Sequence, residues 1–148
     1  MIAGDGDPDY TQRLRTSFPS ANTRFVGWVP ADVFFPQIDV SVVPSIWAEP
    51  FGRVSIEAQS FGVPTLVGRS GGLPANIAEG KTGFCFDAND HLSLASHISK
   101  LAANRRLLKQ MGAAARQHAE RYCLPRVGEE FEDFLQETRD HAHSNRTR

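Results

Sequence analysis

Two spacings of apolar residues alternate along this chain: short β-branched runs, and longer stretches in which apolar residues return every three or four positions. Asp39-Val40-Ser41-Val42-Val43 is a short run of the first kind, as expected of a strand buried on both faces of a parallel sheet, and Pro44 ends its ladder. Arg24-Phe25-Val26, Thr65-Leu66-Val67 and Gly83-Phe84-Cys85-Phe86 read as strands in the same way. Met1-Ile2-Ala3 reads as the end of a strand running into the loop Gly4-Asp5-Gly6.

Helical spacing fills the intervals. Asp7 caps a predicted helix with Pro8 in its first turn and Tyr10, Leu14 and Phe18 on one face. Ala31 to Gln37 predicts a short helix carrying Val33, Phe34 and Phe35, and Pro74 to Ala78 another. Val54, Ile56, Glu57, Ala58 and Phe61 continue as a helix stopped by Gly62 and Pro64. Beyond the turn Asp87 to Asp90, Leu94, Ile98 and Leu101, then Leu108, Met111, Ala115, Ala119 and Tyr122, mark two amphipathic helices broken at Asn104. Val127, Phe131, Phe134 and Leu135 mark a third after Pro125. Residues 139–148 are polar, hold three arginines and two histidines, and read as a disordered tail behind one domain spanning 1–138.

Strands alternating with helices predict an α/β domain, a Rossmann-like parallel sheet with helices on both faces and ligands at the carboxyl ends of its strands. The loops Gly4 to Gly6, Gly27 to Val29, Pro44 to Gly52 and Gly68 to Gly72 all follow strands, so they should gather along one edge.

Composition narrows the function classes. At 148 residues and 41% hydrophobic content there is room for one domain, which at this size buries about 70% of its unfolded surface. A net charge of −1 gives no overall pull toward nucleic acid, and leaves at most a peripheral membrane contact, through the basic tail. Cys85 and Cys123 lie far apart, without a C-x-x-C pair or a histidine at metal spacing, and read as reduced thiols. No basic segment precedes an apolar run and no window approaches the ~18 apolar residues of a span, which points to the cytoplasm. The five histidines form no cluster and are assigned no chemistry.

The chemistry concentrates between Pro44 and Ala58. Gly52 permits a tight turn before the helix, and the first amides of a helix lack partners within it and carry the positive end of its dipole. The turn through Phe51 to Arg53 therefore suits a phosphate. Glu49 and Glu57 bracket it with seven residues between them. Carboxylates accept hydrogen bonds from vicinal hydroxyls, so a guest satisfying the whole stretch has phosphate in the middle and hydroxyl-rich groups on both sides, as in a nucleotide sugar. Two glutamates alone would read as surface acids. Likewise, Gly68-Arg69-Ser70-Gly71-Gly72 can present amides to an anion or simply connect a strand to a helix.

Pro44-Ser45, Glu49-Pro50-Phe51-Gly52, Glu57-Ala58, Gly62-Val63-Pro64, Gly71-Gly72-Leu73-Pro74 and Gly80-Lys81-Thr82-Gly83, in this order, resemble the C-terminal, donor-binding domain of family 4 (group 1) retaining glycosyltransferases, enzymes of the two-Rossmann-domain (GT-B) type. The resemblance spans nearly the whole chain and implies a doubly wound sheet of order 3-2-1-4-5-6 lacking its first strand and helix, with Met1 to Ala3 as the remnant of the second strand and Asp39 to Val43 as the fourth. It implies that Glu49, the catalytic member of the pair, contacts the transferred sugar and that Glu57 holds the ribose. The remaining donor-binding positions it implies are Ser45, Pro50, Phe51, Gly52, Arg53, Gly71 and Gly72, with Trp28, Val29 and then Asp32 beside the nucleobase; packing of Trp28 against the core is the competing reading. No metal or cofactor is implied. The substrate is a nucleotide-diphosphate sugar, and an arginine, a lysine and the acceptor site come from an N-terminal glycosyltransferase domain supplied in cis or in trans. Ala75 departs from the glutamate the family often has, and Arg53 and Ser55 stand where it usually has apolar residues. A non-catalytic module that binds nucleotide sugars or phosphosugars is the alternative.

Overall fold

A computed structural model describes residues 1–18 and 22–146. The elements are strand β1 (Ile2–Ala3), helix α1 (Pro8–Ser17), β2 (Phe25–Gly27), α2 (Ala31–Phe34), β3 (Ser41–Val43), α3 (Arg53–Ser60), β4 (Thr65–Gly68), β5 (Gly83–Phe86), α4 (His91–Ala103), α5 (Arg105–Ala119) and α6 (Leu124–Arg146). Three 3₁₀ turns, Phe35–Gln37, Leu73–Asn76 and Glu120–Tyr122, link them. All strand pairs are parallel, so the α/β Rossmann-like reading holds.

The ladders fall into two sheets, β1-β2 and β3-β4-β5. In the larger sheet Val42, Leu66 and Phe84 stand in register, as do Val43, Val67 and Cys85. Because side chains alternate across a strand, these rows face opposite sides. Leu66, Phe84 and Phe86 pack with Leu101, Leu108 and Met111 beneath α4 and α5, while Val43, Val67 and Cys85 pack with Leu73 and Ile77 on the other side. Every residue of β4 and β5 is buried, which explains their unbroken apolar runs. A third cluster, Phe35, Ala58 and Val63, seats α3. Truncating a fully buried side chain such as Leu66 to alanine costs about 2–5 kcal/mol.

Local signals explain the helix limits. The Asp7 carboxylate accepts from the Tyr10 amide at 2.8 Å, and Asn104 ends α4 while its side chain accepts from the Leu107 amide of α5 at 2.9 Å. The Ala31–Gln37 helix is α for one turn and 3₁₀ beyond it, and the Pro74–Ala78 helix is a 3₁₀ turn over Leu73–Asn76. The Tyr10 and Phe18 face of α1 is exposed, and no described residue before Phe35 is buried. The tail expected to be disordered from Arg139 differs too: α6 runs on to Arg146, since neither glycine nor proline follows Gly128 to stop it. Residues 147 and 148 lie outside the described residues. Among the described residues, no helix is long and apolar enough to cross a membrane.

Cys85 and Cys123 should behave oppositely. Cys85 is buried in β5 beside Glu79; burial first, then hydrogen bonding and charge from Glu79, push its thiol from 9.0 up to about 11. Cys123 is exposed. At pH 8 a disulfide reagent should titrate Cys123 quickly and reach Cys85 only on unfolding. Rapid reaction of both in the folded protein would contradict this placement. Between pH 9.0 and about 11 the folded chain keeps a proton that the unfolded chain releases, so the contribution of Cys85 to stability is lost as pH rises through that window.

Candidate functional site

The strand-to-helix connection after β3 is held by the connection after β4. The Ser70 hydroxyl donates to the Trp47 carbonyl, and the Gly72 amide donates to the Glu49 carbonyl at 2.7 Å. Gly71 sits at φ +54°, where a Cβ would fall on the backbone of Glu49, so the two loops approach closely only with glycine there. Ser45 is buried at the end of β3, its carbonyl against Gly68. Predicted residues Ser45, Glu49, Pro50, Gly71 and Gly72 are thus gathered at the carboxyl ends of two neighbouring strands.

Gly52 turns the chain into α3 at φ +78°. Its carbonyl accepts from the Ser55 amide at 3.0 Å and the Ser55 hydroxyl at 2.7 Å. The amides of Gly52, Arg53 and Val54 donate to no acceptor in the described chain, which leaves an uncompensated helix start between the two glutamates. Half-buried Glu49 accepts from the Trp47 indole N–H at 2.6 Å. Glu57 accepts from the Arg53 guanidinium at 2.8 Å, one turn along the helix. That pair is too exposed to add much stability; its effect is to hold a side chain at the turn. Glu57 also lines a groove of about 380 Å³ with Ile56, Ser60, Tyr122 and Cys123. Phe51 meets the Tyr122 ring edge-on at 5.6 Å between centroids.

Beneath the turn runs a polar network that sequence reading missed. Asn76 is 1% exposed, and its side-chain amide donates to the Phe51 carbonyl and, at 3.2 Å, to the Ser55 hydroxyl oxygen. Fully buried Gln59 donates to the Asn76 backbone carbonyl at 2.9 Å, and its oxygen lies 3.0 Å from His118 Nδ1. Burial, then the charge of Arg121, hold the His118 pKa below its usual 6.5. A signal for this network was present: Ser55 and Gln59 stand four apart, beside Ala58, on the face of α3 that must be buried, and a polar residue there requires a partner.

Trp28 and Val29 make no direct contact with this cluster among the described residues. They follow β2 in the smaller sheet, and no hydrogen bond, ion pair or ring contact joins them to the β3–α3 loop among the described residues. Trp28 is 73% exposed, so it does not pack against the core; its flat apolar face is open. A larger groove of about 720 Å³, floored by Phe35, Ile38, Phe61 and Val63, includes none of the predicted site residues.

Chemically, the arrangement offers unpaired amides for an anion, flanked by two carboxylates that can accept hydroxyl hydrogens. The family model for glycosyl transferases group 1 matches residues 1–118. A D-inositol 3-phosphate glycosyltransferase of Streptomyces scabiei is 36% identical over 124 residues, 81% of this chain and 28% of that protein. The sulfoquinovosyl transferase SQD2 of Arabidopsis thaliana is 35% identical over 127 residues, covering 82% of this chain and 25% of its own length. The chain therefore spans about a quarter of these relatives. Among solved structures, Anabaena HepE in complex with UDP superposes with a TM-score of 0.82 at 24% identity, over 91% of this chain and 40% of that one. Sucrose-phosphate synthase from Thermosynechococcus elongatus superposes with a TM-score of 0.81 at 23% identity, over 94% and 38%. These two likenesses concern the fold.

Proposed function

This chain belongs to the glycosyl transferases group 1, and from that premise we propose that it is the donor-binding half of a retaining enzyme that moves a sugar from a nucleotide diphosphate to an acceptor. The observation that carries the reading is the helix start at Gly52 to Val54, with unpaired amides, closed on one side by the loop after β4 and bracketed by Glu49 and Glu57. In this reading the amides take the diphosphate, Glu57 takes the ribose hydroxyls and Glu49 the transferred sugar. Ser45, Pro50, Phe51, Gly71 and Gly72 shape the pocket, Arg53 positions Glu57, and Trp28 with Val29 lies against the base.

Sugar transfer requires the bond from the anomeric carbon to the diphosphate to break, so the leading demand is stabilisation of charge growing on the leaving phosphate. Amides already fixed in place meet part of it without reorganising. The acceptor site and further cations are assigned to the remainder of a longer polypeptide or to a partner chain, a family 4 N-terminal domain in this reading. The location is the cytoplasm, and neither metal nor cofactor is part of the proposal.

A screen of UDP, GDP and ADP sugars by thermal shift identifies the donor, and Glu49→Ala then tests the division of labour. Glu49 lies across the phosphate turn from Glu57, so its loss should weaken the intact donor about tenfold to a hundredfold, the worth of a charge-assisted hydrogen bond. The free nucleoside diphosphate should bind as before. Equal losses for both ligands would place Glu49 elsewhere, and donor binding without turnover in the complete protein would favour a binding module.

A further inference from the structure

We propose that Asn76 is a positioning residue for the donor's diphosphate: it turns the Phe51–Gly52 peptide so that the Gly52 N–H faces the ligand. This rests on the donor-site reading above. In a trans peptide the C=O and N–H groups point to opposite sides of the C–N bond, and the described chain has no cis peptide. Asn76 donates to the Phe51 carbonyl from the protein interior, so the Gly52 N–H in the same plane points away from the interior. Ser55 repeats the device one peptide later: its hydroxyl and its amide both donate to the Gly52 carbonyl, which directs the Arg53 N–H the opposite way.

Asn76 is itself held firmly. Its side-chain nitrogen is identified by its partners, since a carbonyl oxygen can only accept and the Ser55 hydroxyl hydrogen is already given to Gly52. Its own carbonyl takes the Gln59 side-chain amide, which leaves the Gln59 oxygen as the acceptor for His118 Nδ1–H. The chain from half-buried His118 through buried Gln59 and Asn76 ties α5 to the turn. Were the Phe51–Gly52 peptide to flip, a carbonyl oxygen would face the anion in place of an amide. A buried asparagine that merely satisfies a carbonyl would stabilise the fold without favouring phosphate over the rest of the ligand, and the two roles separate by experiment.

Asn76→Asp keeps the side-chain shape but, when ionised, cannot donate to the Phe51 carbonyl; Ser55→Ala removes one of the two bonds to the Gly52 carbonyl and leaves the backbone one. Both variants of the full polypeptide are titrated calorimetrically with whichever of UDP, ADP or GDP the wild type binds most tightly, and with the matching nucleoside. Thermal unfolding reports whether each variant is folded. The proposal expects Asn76→Asp to bind the diphosphate about tenfold to a hundredfold more weakly, the worth of one hydrogen bond to a charged group, with nucleoside affinity within about twofold. Ser55→Ala should show a several-fold loss confined to the diphosphate, and carries the test if Asn76→Asp does not fold. Equal losses for diphosphate and nucleoside, or an unchanged diphosphate affinity in a folded variant, overturn the proposal. A wild type with no preference for diphosphate over nucleoside overturns the donor-site reading beneath it as well.

Discussion

Replacing Gly71 by alanine is expected to abolish donor binding and to cost the fold about 1–3 kcal/mol. Gly71 stands in the left-handed region, and its missing side chain leaves the space that the Glu49 backbone occupies. An alanine Cβ would meet the carbonyl and amide of Glu49 and the carbonyl carbon of Ala48, all backbone, which cannot turn aside as a flexible side chain can. The loops after β3 and β4 must then separate, breaking the bond from the Gly72 amide to the Glu49 carbonyl and displacing the carboxylate of Glu49. Gly128→Ala is the control: nothing lies within 4 Å of the added Cβ on exposed α6, so binding should be unchanged and the helix slightly favoured. Donor titration and thermal unfolding of both variants check this; a Gly71→Ala protein with wild-type affinity and midpoint would contradict the loop geometry.

Equally large is the effect expected of isolating the 148-residue chain: no sugar transfer with any donor, together with self-association. Among the described residues β1 pairs only with β2 and β3 only with β4, so each sheet presents an unpaired edge, and Val42 on the β3 edge is 39% exposed. On α6, Leu124, Val127, Phe131, Phe134 and Leu135 form an apolar stripe that is exposed throughout. An edge and a stripe of this kind are expected to take up either the rest of a longer polypeptide or another copy. Sedimentation and a donor-hydrolysis assay on the purified chain, repeated with the remaining segment of the polypeptide added, measure both consequences. A compact, stable monomer with turnover would refute the claim that a second half is needed.

The strands were legible because parallel, doubly covered strands are written as uninterrupted apolar runs: the expected Gly83–Phe86 strand is β5 as observed, and Thr65–Val67 is one residue short of β4. Asn104, which the structure shows capping α5, was legible only as a break, whereas Asp7 was legible as a cap because its side chain replaces a missing helical partner. The packing face of α1 was not, since periodicity predicts a face but cannot supply the element that covers it. Asn76 escaped for the opposite reason: the buried face of α3 shows that Ser55 and Gln59 need partners, but Asn76 meets Gln59, Ser55 and Phe51 across 17 to 25 residues, which no local pattern records. Glu49 and Glu57 were singled out by spacing and by resemblance, while their partners Trp47 and Arg53 became apparent only in three dimensions.

The central claim is that Glu57 and the amides at the start of α3 hold a nucleoside diphosphate. Its most direct test is a calorimetric titration of UDP, ADP and GDP into the full polypeptide, wild type against Glu57→Gln, with folding checked by thermal unfolding. At least one diphosphate should bind, and Glu57→Gln should weaken it about tenfold to a hundredfold, equivalent to about 1.5–3 kcal/mol. Failure of all three to bind the wild type, or an unchanged affinity in the folded Glu57→Gln protein, would contradict it.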